Sequence, residues 1–118
     1  MNVAIKRAYA PPEPGDGMRI LVDRLWPRGL RKEAAHTDLW LKEVAPSTAL
    51  RQWFAHDPAK WAEFRRRYQA ELQAGAAAEA LQTLRAHARQ RPLTLLYAAH
   101  DEAHNQAVVL RDLLAGHR

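Results

Sequence analysis

A chain of 118 residues is long enough for one domain with a real hydrophobic core and too short for two of ordinary size. Its 47% hydrophobic and 26% charged residues are those of a folded globular protein, and the absence of cysteine excludes disulfide scaffolds, cysteine zinc sites and thiol nucleophiles. Eighteen Lys and Arg against 13 Asp and Glu leave a net charge of +5, which favours anionic partners: phosphate esters, nucleotides or nucleic acid.

No apolar run reaches the ~18 residues of a membrane span. Residues Met1 to Arg7 also lack the apolar centre of a secretory signal, so a cytoplasmic protein with no membrane partner is expected. Val3 and Ile5 alternate with polar neighbours and predict a first strand. The run Pro11-Pro12-Glu13-Pro14-Gly15-Asp16-Gly17 predicts an exposed loop over 10–17. Arg19-Ile20-Leu21-Val22-Asp23 reads as a strand buried on both faces, and Trp26-Pro27-Arg28-Gly29 as a turn beyond its end. A third short strand is expected over Trp40-Leu41-Lys42-Glu43-Val44, with Pro46 stopping whatever precedes it.

Ser47 looks like the N-cap of a helix carrying Leu50, Trp53 and Phe54. Asp57-Pro58 opens a second helix, whose stripe is Trp61, Phe64, Tyr68 and Leu72 and whose end is Gly75. Ala77, Leu81, Leu84 and Ala88 mark a third, closed by Pro92. Leu93-Thr94-Leu95-Leu96-Tyr97-Ala98-Ala99 reads as the most buried strand. His100 or Asp101 then opens a last helix with Ala103, Ala107, Leu110 and Leu114 inward and Gly116 just past its end.

Strands joined by helical crossovers lie parallel. The expectation is therefore a single α/β domain over 1–118. It would be a small three-layer sandwich with a short, mainly parallel sheet covered by about four helices. Ligands of open parallel sheets collect outside the carboxyl ends of the strands, here Asp23-Arg24 and Ala99-His100-Asp101.

One run, Ile20-Leu21-Val22-Asp23-Arg24-Leu25-Trp26-Pro27-Arg28-Gly29, is too particular to be generic. Together with Ala45-Pro46-Ser47, Leu50-Arg51, Phe64-Arg65, Tyr68-Gln69-Ala70-Glu71-Leu72, the 93–99 strand and Asn105, it resembles the short bacterial YeaO-like proteins of the domain of unknown function 488 family. The resemblance runs from about Lys6 to Leu114. It implies a compact cytoplasmic α/β domain and carries no established activity. His100 stands where the family pattern often has lysine, which puts in doubt any role there that needs a permanent cation.

Among candidate site residues, Arg24 and Arg28 suit an anion, with Asp23 orienting them. The competing reading is a structural Asp23–Arg24 ion pair. Asn105 would be a hydrogen-bonding wall at the start of the last helix, although Asp101 as a cap would occupy the same backbone N–H groups. His100 and Asp23 are the candidates for acid–base work. His100 and His104 have i, i+4 spacing but no third ligand at a fixed offset, so no metal site is expected. Ser47, the only serine, has the context of a cap rather than a nucleophile, and Gly15-Asp16-Gly17 lacks the lysine and helix of a phosphate loop.

No cofactor is implied. The favoured function is binding, or acting on, a small phosphorylated or carboxylated metabolite or nucleotide. The alternative is a nucleic-acid-binding or regulatory module using Arg65-Arg66-Arg67, which otherwise reads as a solvated helix face. A third reading makes Trp26 and Trp40 part of a protein contact surface, to be decided by their exposure.

Overall fold

The computed structural model describes residues 1–116. Among them, four strands form one wholly parallel sheet: β1 (Val3–Arg7), β2 (Met18–Leu21), β3 (Leu39–Trp40) and β4 (Leu93–Tyr97), in the order β1-β4-β2-β3. Strand β4 is last in sequence but central in space. It pairs with β1 in the register Ile5↔Leu95 and with β2 in the register Ile20↔Leu95. A strand with neighbours on both sides and cover on both faces is largely apolar; all five residues of β4 are buried, and its one polar side chain, Thr94, donates to the Asp16 carbonyl at 2.7 Å.

Alternation along the strands divides the core. Leu93, Leu95, Tyr97, Ile20 and Val22 join the helical side, whereas Leu96, Leu21 and Ala8 form a smaller cluster on the other. The helical side is covered by α2 (Thr48–Phe54), α3 (Trp61–Glu71), α4 (Gly75–Gln90) and α5 (Gln106–Leu114), numbered after α1 (Lys32–Ala35). The stripe Phe64, Tyr68 and Leu72 of α3, Leu81, Leu84 and Ala88 of α4, and Ala107, Leu110 and Leu114 of α5 all enter this core. Each fully buried large side chain there contributes about 1.5–3 kcal/mol. Ser47 caps α2 as expected, its hydroxyl oxygen accepting from the Leu50 N–H at 3.1 Å. Glu71 at the end of α3 in turn accepts from the Ser47 N–H and hydroxyl, at 2.9 and 2.6 Å, and locks the two helices together.

The second face is covered by α1 and the loops beside it. Trp26 and Trp40 meet edge to face at 5.5 Å between ring centroids and pack, with Leu30, on Ala8, Leu21 and Leu96. Their indole N–H groups donate to the Leu30 and Asp23 carbonyls, each at 2.7 Å. Both rings thus serve the fold from half-buried positions, which leaves the contact-surface reading without its premise of exposure.

The 10–17 loop departs from expectation at Asp16, which is buried. Its carboxylate takes Lys6 Nζ at 2.8 Å and Arg19 Nη1 at 2.6 Å, and the Lys6 ammonium, its first cause, holds its pKa down at about 2. Arg19 is 3% exposed and also donates to the carbonyls of Ala35 and His36, joining the sheet face to the end of α1. Gly17 makes this turn possible. Its φ is +65°, and a Cβ there would sit 2.3 Å from the Pro92 carbonyl oxygen that accepts the Met18 N–H.

Three boundaries also differ. Only Leu39–Trp40 of the expected 40–44 strand pairs with β2; Lys42–Val44 tightens into a 3-10 turn that buries Val44 and presents its carbonyl to the Tyr68 hydroxyl. Gly75, at φ +63°, opens α4 rather than ending α3, which stops at Glu71. The last helix begins at Gln106 with Asn105 as its cap, and the expected start at 100–101 is a loop in which Ala103 is exposed.

Replacing Arg19 by Leu leaves the α1 carbonyls without their donor and Asp16 with Lys6 as its one cation, and should lower unfolding free energy by about 3 kcal/mol in urea titrations. Gly17→Ala should be at least as damaging, because backbone strain and a backbone clash coincide.

Candidate functional site

The chain leaves β2 and β4 at the same end of the sheet, and a cleft of about 770 Å³ opens there. One wall is the loop after β4. It is held from β1 by Arg7, whose Nε and Nη2 donate to the carbonyls of Ala99 and Ala98 at 3.0 and 2.9 Å. From β2 it is held by Asp23, whose Oδ2 accepts the Ala98 N–H at 3.1 Å. Within the loop, Asp101 Oδ1 accepts from the N–H groups of Ala103 and His104, at 2.9 and 3.0 Å, and its Oδ2 lies 2.9 Å from His104 Nδ1. Asn105 is spent on capping. Its Oδ1 accepts the Ala107 and Val108 N–H groups and its Nδ2 donates to the Asp101 carbonyl.

The facing wall is Ala45-Pro46 and helix α2. Arg24 reaches across to it, donating from Nη2 to the Ala45 carbonyl at 2.9 Å and from Nε to the Pro46 carbonyl at 3.3 Å. Helix α2 contributes Arg51, Gln52 and Phe54, and the reversal after it brings His56 to the rim. Ala55 and His56 both hold left-handed backbone, at φ 48° and 57°. Two consecutive non-glycine residues in that region store strain of about 1–2 kcal/mol each.

Asp23, Arg24, His100, Asp101 and Asn105 therefore share one cleft, joined by Arg51, His104 and Gln106. Arg28 does not share it. Proline 27 turns the chain away, Arg28 is exposed outside the lining, and its carbonyl accepts the Tyr9 hydroxyl at 2.7 Å. Two expected roles also change. Asp23 orients no arginine: its second oxygen accepts from the Gln106 side-chain amide, so its partners are neutral donors. Asp101 organises a turn instead of capping α5, and the residue it orients is His104 rather than the exposed His100.

Arg51 was not legible as a site residue. Its Nε is buried with no hydrogen-bond partner among the described residues, an uncommon state for a guanidinium nitrogen. The available signal was its place one step from Leu50 and three from Phe54, an arginine against the buried stripe of a short helix. The arginine run of α3 lies elsewhere. Arg66 and Arg67 share Glu63, Arg67 stacks 4.2 Å from the Trp53 ring centroid, and Arg65 borders a shallow hollow with Ala62 and Gln69.

Burial dominates the titration of Asp23. It pushes the carboxyl up from 3.8 to about 6, against the opposing pull of the Ala98 N–H, the Gln106 amide and the Arg51 charge. No grouping of His, Asp and Glu among the described residues could hold a metal ion. Nor is any described helix long and apolar enough to cross a membrane.

These features define a class: a small α/β protein with an all-parallel sheet and a polar cleft at the carboxyl ends of its central strands. The family follows from comparison. Residues 2–117 match the model of DUF488-N3i, described as "Inactive DUF488-N3 subclade", and the chain belongs to that family. It is 47% identical over 118 residues to "Uncharacterized protein YeaO" of Escherichia coli (strain K12), covering 97% of each chain. It is 42% identical over 115 residues to "Uncharacterized protein Rv3073c" of Mycobacterium tuberculosis (strain ATCC 25618 / H37Rv), covering 98% of this chain and 95% of that one. "Uncharacterized protein Mb3100c" of Mycobacterium bovis matches to the same extent. No solved structure matches.

The raised pKa of Asp23 has a definite sign in stability. Its neutral form stabilises the fold at low pH, and that contribution fades as pH rises from about 4 through 6. Asp23→Asn keeps both hydrogen bonds if the Gln106 amide flips. Relative to the parent, this variant should gain up to about 3 kcal/mol between pH 4 and 7 in paired urea titrations. Taking the difference cancels Asp16 and Glu63, whose lowered pKa values act the other way.

Proposed function

We propose that the cleft is a receptor for a small anionic ligand carrying a phosphate or carboxylate group, and that the protein binds this ligand without transforming it. The observation that carries the reading is Arg51. Its buried Nε has no partner among the described residues, so this guanidinium is not committed to the fold as those of Arg7 and Arg19 are, and its side chain lines the cleft, where an oxyanion would gain a charge-assisted bond. Arg24 adds charge beside it while its Nε and Nη2 keep the Ala45-Pro46 wall in place. The cleft's carboxyls offer limited opposition. Asp23 is fully engaged by neutral donors and Asp101 is held against His104.

Binding without reaction is supported by the lining, which among the described residues contains no hydroxyl, thiol or lysine amine. The description of the family as an inactive subclade agrees with it. The arginine face of α3 offers less to nucleic acid, since Arg66 and Arg67 are already paired with Glu63.

The test is thermal unfolding with and without inorganic phosphate and ribose 5-phosphate. A ligand at a hundred times its Kd stabilises by about 2.7 kcal/mol, which moves Tm by several degrees. Arg51→Gln should remove that shift and Arg28→Ala should leave it intact. An unchanged shift in Arg51→Gln, or none in the parent protein, would refute the reading.

A further inference from the structure

The cleft is far larger than an anion requires. Ligand pockets of ~300–1,000 Å³ enclose organic molecules of drug size, and this one has about 770 Å³. Beside its polar groups, the cleft has apolar lining from Leu25, Ala45, Pro46, Phe54 and Ala99. Phe54 and Phe64, stacked with ring centroids 4.3 Å apart, contribute to the wall beside the guanidinium. Leu25 stands at the rim with 65% of its surface exposed. An exposed leucine is ordinary when isolated, but this one follows Arg24 in sequence and lines the same cleft as Phe54, where an organic body would cover it.

From this arrangement we infer that the ligand is an amphipathic organic anion: one phosphate or carboxylate head at Arg51, joined to a flat apolar body of up to nucleoside size that lies along Phe54 and beneath Leu25. The inference rests on the anion-receptor reading and adds the chemistry of the rest of the ligand. Arg51 and Phe54 lie three residues apart on α2, so one helix face presents the head and body contacts side by side. Burial of the body, rather than further ion pairing, would supply the affinity gained beyond that of the head, because the cleft holds two carboxyls beside its two arginines.

Matched probes test this by isothermal titration: inorganic phosphate against phenyl phosphate, and acetate against benzoate. Phenol serves as a body without a head. At least one aromatic anion should bind about tenfold or more tightly than its bodiless counterpart, and the tighter of the two names the preferred head. Phenol should show no measurable binding. Leu25→Ser, an exposed change that spares the core, should weaken the aromatic anion about fivefold while leaving inorganic phosphate unaffected. Arg51→Gln should abolish binding of both. Equal affinity within each pair, or indifference of the aromatic anion to Leu25→Ser, would overturn the amphipathic ligand and leave the anion receptor standing. Failure of every anion to bind would remove both.

Discussion

One half-buried carboxyl at the cleft ties three pieces of chain together. Asp23 leaves β2, accepts the Ala98 N–H just after β4, and accepts the side-chain amide of Gln106 in the first turn of α5. Neighbouring parallel strands diverge into separate loops at their carboxyl ends, and this tie works with the Arg7 bonds from β1 to hold the loop after β4 in place. Burial of the carboxyl is the cost, visible in a pKa raised to about 6. A carboxyl already so placed holds the wall better when neutral or exchanged for an amide, so its acidity is incidental to its structural task.

The arginines show how little the number of cations says about where an anion binds. Arg7 and Arg24 each donate to two backbone carbonyls, and Arg19 lies under the 10–17 loop between Asp16 and the end of α1. In each case the planar fork satisfies carbonyls that the ends of short strands and helices leave open. Arg66 and Arg67 answer Glu63. The net charge of +5 is thus largely distributed over structural tasks, and Arg51 stands out as the guanidinium in the main cleft whose buried nitrogen has no partner among the described residues.

Much of the fold was legible because the relevant signals are local. The alternation at Val3 and Ile5, the mostly apolar run at 93–97, the Ser47 cap and the stripe of α3 each depend on a few adjacent residues, and each element forms where that signal lies. What escaped depends on distant partners. Asp16 looked like a loop residue because its burial depends on Lys6 from β1 and on the packing of the loop over Arg19, although Arg19 itself is only three residues away. Lys42–Val44 looked like the end of a strand because Trp40, Leu41 and Val44 together fit one. The pull of the core on Val44 and of the Tyr68 hydroxyl on its carbonyl is tertiary. The last helix starts late because Asp101 and Asn105 compete for the same cap, and Asn105 can accept two N–H groups while donating to the Asp101 carbonyl.

The same division separates the site residues. Position at the strand ends picked out Asp23, Arg24, His100 and Asn105, since parallel-sheet topology alone brings those ends together. Arg28 failed by that reasoning's own logic: it was chosen for its charge and closeness in sequence, and a turn rigid enough to preorganise a ligand is also rigid enough to aim a side chain elsewhere. Arg51 has the opposite history. It lies on a helix and far from any strand end in sequence, yet the packing of Leu50 and Phe54 carries it to the cleft. A residue placed by the core has few orientations left to lose on binding, so it can hold a ligand at lower entropic cost than an arginine on an exposed turn. In a protein this small, the core that stabilises the sheet also sets the geometry of the cleft. The residues best placed to bind are those whose neighbours are most deeply buried.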